Sequence, residues 1–385
     1  MDNESKFLID ICSAYLNAAP VYVPENIDYK KLYNIIKNHN LIGICHCALN
    51  HAENKEFIPP AFMNAVKDKF FDLVYIYECQ SNVLNEIISI FTENEIRHIL
   101  FKGSVIRDMY PIPESRAMGD IDILIDKKDR KKARALLENA SFICTADNGP
   151  VFDYRKNNVL VEVHTRIISE FGDRAFDSPF DNAEFDKCTG KLKSNYCLAY
   201  IIAHIAHHFK FYGAGIRHIM DLAVIQNAYD IDLDKVIHIL KEYHLDTFAK
   251  VILSVCSKWF GTGKKYVDNT QKTEDYLCLR GAFGSMNKNK GAIVTRKEME
   301  KGHTSTLDVK FHLLFPSYQQ MKNIPYIKFI DGRPWLTPYA WCYRFLYNIK
   351  HKKDFMKNTV SQIADDETKL LARQELEFFE EIGLI

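Results

Sequence analysis

From Gly119 to Asp126 the chain alternates without exception. Asp120, Asp122, Leu124 and Asp126 fall on one side and Ile121, Ile123 and Ile125 on the other. A period of two is the signature of a strand, because successive side chains leave a strand on opposite faces. Asp120 and Asp122 therefore point the same way, about 7 Å apart along the chain. An apolar face and a doubly acidic face on one strand narrow the choice of fold more than any other feature here.

The surroundings of this strand read as a small sheet with helices. Upstream, His98-Ile-Leu-Phe101 is a short apolar strand that ends in Lys102-Gly103-Ser104, and Val105 to Tyr110 reads as a short helix. Pro111 and Pro113 then force an irregular connection. Downstream, Lys127 to Asn139 is a charged amphipathic helix with Ala133, Leu136 and Leu137 inward. Phe142–Cys144, Val151–Arg155 and Val159–Thr165 follow as strands, the last two joined by Asn157-Asn158 as a hairpin turn.

Both ends of the chain read as helical. Leu32, Ile35 and Ile36 recur at helical spacing behind a capping Asp28, and nothing interrupts 61–95, which is one long helix or two with a break near Ser81. After Lys193 come helices at 195–212, 216–228, 234–244 and 247–260. Residues 261–306 are polar and read as a loop or lid, with basic Lys288, Lys290, Arg296, Lys297 and Lys301 against Glu298 and Glu300. The last 80 residues read as helical, with Trp335 and Trp341 as core anchors. The expected fold class is α+β: a small mixed sheet core with flanking helices, embedded in mainly helical N- and C-terminal regions. The 385 residues suit two or three domains. The divisions expected are 1–74 (helical), 75–192 (sheet core), 193–265 (helices closing a cleft) and 266–385 (loop or lid and C-terminal helices).

Three features meet around the alternating strand. A strand ends in Gly103-Ser104 at a helix start, where glycine allows close approach and free amides suit a phosphate. Asp120 and Asp122 share a face. Glu162, in Val-Glu-Val-His, shares another strand face with Leu160 and His164. Clustered carboxylates repel one another, and a hard divalent cation such as Mg²⁺ removes that cost. Two such ions can clamp the attacking and leaving oxygens of a phosphoryl displacement. An isolated Asp-x-Asp is common; this combination is not.

The segment from Phe101 to Asp126 resembles the polymerase-beta-like nucleotidyltransferase superfamily, whose motif is an apolar residue, Gly, Gly or Ser, a spacer, and alternating acidic and apolar residues. More narrowly, Lys102-Gly-Ser104, Arg116-Ala-Met-Gly-Asp-Ile-Asp-Ile-Leu-Ile125, Glu162-Val-His164, His204-Ile-Ala-His207 and Gly215-Ile-Arg-His-Ile-Met-Asp221 resemble a bacterial family of uncharacterised nucleotidyltransferases. The resemblance implies catalytic roles for Asp120, Asp122 and Glu162. The two Asp would bind Mg²⁺, two ions in all, and Glu162 would be a further metal ligand or the general base. Gly103 and Ser104 would hold nucleotide phosphates. Lys102 and Arg116 would neutralise phosphate charge, and His204 and His207 would face the nucleotide or acceptor. Arg217 and Asp221 form either a solvated i, i+4 pair or part of the nucleotide site. The implied reaction moves a nucleoside monophosphate from a nucleoside triphosphate to a hydroxyl-bearing acceptor. One departure stands out: fifteen residues separate Ser104 from Asp120, more than is usual in the superfamily.

Charge narrows the partners. Lys+Arg and Asp+Glu are both 50, a formal net charge of zero. A protein that coats nucleic acid carries an excess of Lys and Arg, so a small molecule, peptide or protein is favoured as acceptor. The N-terminus lacks the pattern of a signal peptide and no apolar run reaches membrane-spanning length. Ten scattered Cys fit reduced thiols in a cytoplasmic protein. Two competing readings are a metal-dependent hydrolase built on His204, His207 and His208, and a non-catalytic nucleotide-binding regulatory module.

Overall fold

The alternating segment is the central strand of a seven-stranded mixed sheet in the computed structural model. The strands are β1 (His98–Leu100), β2 (Asp120–Ile125), β3 (Ile143–Asn148), β4 (Val151–Lys156), β5 (Val159–His164), β6 (Ala183–Asp186) and β7 (Thr189–Leu192). Their spatial order is β3-β4-β5-β2-β1-β7-β6. Strand β2 pairs parallel with β5 and antiparallel with β1, and β1 pairs parallel with β7. The β4–β5 hairpin turns at Asn157 and Asn158, whose φ angles of 49° and 64° are those of a tight primed turn. The structure describes residues 1–167, 176 and 178–281, and of the rest 296, 299–300, 302, 311, 314–322, 324–351 and 366–385.

Three helices, α1 (Asn3–Leu16), α2 (Tyr29–Asn38) and α3 (Ile42–Leu49), precede the sheet. Asp2 and Asp28 cap the first two by accepting from first-turn amides. Helix α4 (Pro60–Glu93) follows and runs without a break at Ser81, with Pro in its first turn, where no amide is needed.

The apolar face of the sheet is covered by two helices. Ile121, Ile123 and Ile125 of β2 and Val159, Val161 and Val163 of β5 pack with Val83, Leu84, Ile87 and Phe91 of α4. Full burial of each such side chain contributes about 1.5–3 kcal/mol. The short α5 (Gly103–Ile106) starts two residues earlier than its sequence suggests and gives way to a 3-10 turn at Arg107–Met109. Ala133 and Leu137 of α6 (Arg130–Asn139) complete the core under the sheet.

After the sheet come α7 (Ser194–Phe211), α8 (Ile216–Ala228), α9 (Leu233–Lys241) and α10 (Asp246–Phe260). Part of the expected loop region is a helix instead: α11 (Gln271–Arg280). The buried Glu274 carboxylate fixes it to α10, accepting from Lys258 at 2.7 Å and the Trp259 indole at 3.1 Å. The basic residues expected at 288–301 fall outside the described residues, except Arg296.

The chain divides into two compact units, Met1–Ser285 and Met286–Ile385. In the second, helices cover Tyr318–Met321, Thr337–His351 and Asp366–Glu381. Trp341 packs on a small core of Met321, Ile327, Ile330 and Ala340, and its indole donates to the Pro316 carbonyl at 2.8 Å. Trp335 is no core anchor: it is 71% exposed. All ten cysteines are free, and among the described residues no helix is long and apolar enough to cross a membrane.

Candidate active site

The acidic face of β2 meets the acidic face of β5. The parallel register sets Asp120 opposite Leu160, Asp122 opposite Glu162 and Leu124 opposite His164. The side chains of Asp122 and Glu162 thus leave the sheet side by side. His164, one pleat further along β5, turns its Nε2 between them, 3.0 Å from Asp122 Oδ1 and 3.2 Å from Glu162 Oε2. Among the described residues, Asp122, Glu162 and His164 offer donor atoms that all lie within 4.8 Å of one another, close enough to hold a metal ion. Two carboxylates beside an imidazole form a donor set suited to a small divalent cation. Asp120 stands next to this group on β2 and outside it.

The electrostatics of the cluster show why it would take a cation. Burial, then the neighbouring charges of Asp122 and Glu162, push the Asp120 carboxyl up to about 7. Burial acts the same way on Asp122, but Lys102 and His164 outweigh it and hold this carboxyl below the ordinary range. For His164 burial opposes the charged form, and the hydrogen bonds to Asp122 and Glu162 prevail and raise its pKa. The charged form of Asp120 is thus disfavoured by its own burial and by the carboxylates beside it, a cost that a bound cation would relieve.

Lys102 reaches the cluster from a strained backbone. Its φ of 52° and ψ of −132° place a non-glycine residue in a sparsely populated region at the end of β1, at a cost of about 1–3 kcal/mol. From there Nζ lies 2.7 Å from Asp122 Oδ1. Gly103 follows where space is short: a β-carbon would stand 2.8 Å from the Met118 side chain and 3.3 Å from Arg116. Ser104 serves the scaffold. Its buried hydroxyl bonds both the amide and the carbonyl of Asp122, at 3.2 and 3.3 Å, so it fixes β2.

A cavity of about 200 Å³ opens beside the carboxylates. Lys102, Arg116, Asp120, Asp122, Arg217 and Asp221 line it, with His204, His208 and His218 on the helical side. Arg116 and Asp221 make a buried bidentate pair, with Nε–Oδ1 and Nη2–Oδ2 both 2.8 Å. Tyr110 also donates to Asp221, at 2.7 Å. Arg217 and Asp221 are buried, so the solvated-pair reading does not hold, and Arg217 Nη1 donates to the Ala117 carbonyl at 2.8 Å.

The histidines sit differently from expectation. His204 Nε2 is 3.1 Å from His208 Nε2, while His207 packs against Phe211 and Tyr212 and is absent from the cavity lining. Burial, and then neighbouring positive charge, keeps the cavity-lining rings neutral: His204 falls well below its ordinary value, His208 to about 2 and His218 to about 3. They offer hydrogen bonds to a ligand, not charge. Among the described residues the metal-capable group lies on β2 and β5, away from this helix.

The long connection from Ser104 to Asp120 is pinned from several sides. Tyr15 of α1 accepts from the Ile112 amide at 3.0 Å and bonds Ser115 Oγ at 2.8 Å. Gly43 of α3 lies against the Ser115 backbone. Gln80 of α4 donates to the Met118 carbonyl at 2.9 Å. The N-terminal helices therefore hold one wall of the cavity. Tyr110 and His218 are site residues that the sequence did not mark individually, although His218 lies inside the Gly215-Ile-Arg-His motif; His208, a candidate only for the competing hydrolase, lines this cavity instead.

A scan of protein-family models matches residues 25–261 to the family described as uncharacterised nucleotidyltransferase. The chain belongs to that family. The match takes in the N-terminal helices from α2, the sheet, and α7 to α10, so the elements that pin the long connection are mostly part of the family's unit. No curated protein matches the chain. Among solved structures, the solution structure of the antibiotic-resistance factor ANT(2'')-Ia aligns with 13% identity and a TM-score of 0.34, covering 43% of this chain and 91% of that one. So loose an overlap adds nothing to what is said of this nucleotidyltransferase-family chain.

Proposed function

We propose that this chain is a Mg²⁺-dependent enzyme that transfers a nucleoside monophosphate from a nucleoside triphosphate to a hydroxyl-bearing acceptor, a small molecule, peptide or protein, and releases pyrophosphate. The observation that carries the reading is the pairing of Asp122 with Glu162 in register, beside a cavity lined by Lys102, Arg116 and Arg217. Membership of the nucleotidyltransferase family supports it.

In this reading Asp120 and Asp122 would hold two Mg²⁺ ions in the loaded site. The bound Mg²⁺ supplies charge neutralisation at the phosphate oxygens. Lys102 and Arg217 meet phosphate oxygens from the cavity wall. Arg116 keeps that wall in place through Asp221. The acceptor oxygen bonds to the α-phosphorus as the bond to the β-phosphate breaks, and the pyrophosphate leaves with the electron pair. Glu162, with 27% of its side chain exposed against 3% for Asp122, is a further ligand of the metal or the base that takes the hydroxyl proton. His204, His208 and His218 contact the nucleotide or acceptor as neutral hydrogen-bonding groups. The protein works in the cytoplasm, where Mg²⁺ and nucleoside triphosphates are at hand.

The test is pyrophosphate release from ATP, GTP, CTP and UTP with Mg²⁺ across a panel of sugar, aminoglycoside, nucleoside, peptide and protein hydroxyls. Release that needs one acceptor class and vanishes in Asp122→Asn is expected. Nucleotide binding with no release across the panel would favour a regulatory module instead.

A further inference from the structure

A positive charge already occupies the carboxylate that a metal would use. Lys102 Nζ and His164 Nε2 both lie on the same oxygen, Asp122 Oδ1, at 2.7 and 3.0 Å. That residue is also a member of the metal-capable group with Glu162 and His164. The Asp122 side chain is 3% exposed, so water screens this contact poorly. A divalent cation arriving at Asp122 meets an ammonium a few ångströms away and must displace it or bear its repulsion.

Lys102 has somewhere else to go. Its backbone is fixed between β1 and α5, but the four-carbon stem is flexible and the side chain is 18% exposed. The same residue lines the cavity with Arg116 and Arg217, where phosphate oxygens would replace the carboxylate as its partner.

We propose that Lys102 is a built-in counter-ion that occupies Asp122 until a nucleotide arrives, and that its transfer from carboxylate to phosphate opens the carboxylate for the metal. This rests on the reading of Asp122 as a metal ligand. Metal and nucleotide then bind cooperatively through one side chain, and the coupling runs equally in both directions.

The test uses the full chain, with Mn²⁺ as the metal probe followed by electron paramagnetic resonance and ATP binding followed by calorimetry. In Lys102→Met the two affinities should move in opposite directions. Mn²⁺ alone binds about tenfold tighter than in the wild type, and ATP binds about tenfold weaker. Lys102→Gln should do the same and serves if the Met variant does not fold, while Lys102→Arg keeps the charge and the weak metal affinity. Unchanged Mn²⁺ affinity in both neutral variants would make Lys102 a phosphate contact only and overturn the proposal. Loss of both affinities would make it a structural residue and overturn the proposal equally. If wild type and every variant bind no Mn²⁺ at all, with or without ATP, the metal-dependent reading of the site falls along with it.

Discussion

Asp122 and Glu162 stand opposite each other across two parallel strands, and His164 Nε2 bridges their carboxylates at 3.0 and 3.2 Å. The register of the sheet brings the like charges together, and the imidazole holds their orientation. Removing a group that orients metal ligands typically costs about 10–100-fold in metal affinity. His164→Gln is therefore expected to weaken Mn²⁺ binding by about that factor with the circular dichroism spectrum intact. A Mn²⁺ titration matching the wild type would show that His164 only packs.

The Arg116–Asp221 pair is buried and bidentate, so removing one partner strands the other. Asp221→Asn should lose about 3–5 kcal/mol of stability. Tyr110→Phe, which deletes one hydrogen bond to the same carboxylate, should lose about 2 kcal/mol. Urea denaturation of both variants measures these differences. A shift below about 1 kcal/mol in Asp221→Asn would mean that the pair is not formed in solution.

Gly43 tests whether the N-terminal helices hold the site. A β-carbon there would run into the Ser115 backbone, with the Ser115 Cα at 2.7 Å. Backbone cannot swing aside as a side chain can, so Gly43→Ala should cost about 1–3 kcal/mol and weaken nucleotide binding at a distance. Calorimetry with ATP checks the second effect. Full affinity in a destabilised Gly43→Ala would separate the helices from the site.

The pH dependence follows from His39. Its Nδ1 accepts from the Ile216 amide at 3.1 Å and its Nε2 faces the Cys278 carbonyl at 3.1 Å, which fixes the neutral ring. Burial lowers its pKa to about 4, from an ordinary value of 6.5. Between these values the unfolded chain binds a proton at His39 and the folded chain does not. The stabilisation is thus complete above pH 6.5 and is lost as the pH falls toward 4. His218, lowered to about 3, acts in the same direction. Each group contributes a slope of about 1.4 kcal/mol per pH unit in that window. Urea midpoints measured from about pH 7.5 down to about pH 4.5 should fall steeply, and His39→Gln should flatten the curve by about one proton. An unchanged slope would mean that His39 is protonated in the folded state.

What the sequence revealed and what it hid have physical reasons. The strict alternation of 119–126 exposed β2, its apolar face and its two carboxylates, because a strand half buried in a core must alternate. The same logic exposed Glu162 and His164 on β5. Strands β6 and β7 were missed: Ala-Glu-Phe-Asp and Thr-Gly-Lys-Leu are short and polar, with too few apolar residues to set a period. Helix α11 lay hidden in a polar stretch because only one of the residues it buries deeply, Leu277, is apolar, beside Thr273 and Glu274. The Arg116–Asp221 contact joins residues 105 apart, and an i, i+4 rule can only suggest the wrong neighbour for Asp221. Ser104 matches a phosphate-binding motif, but its hydroxyl donates to and accepts from the backbone of Asp122, a contact that only the folded geometry could show.

The most direct test of a metal-dependent nucleotide site is calorimetric binding of ATP, GTP, CTP and UTP with and without Mg²⁺, in the wild type and in Asp120→Asn plus Asp122→Asn. Mg²⁺-dependent binding of at least one triphosphate is predicted in the wild type, with its loss in the double variant. No Mg²⁺-dependent binding of any of the four, or binding that survives both substitutions unchanged, would contradict it.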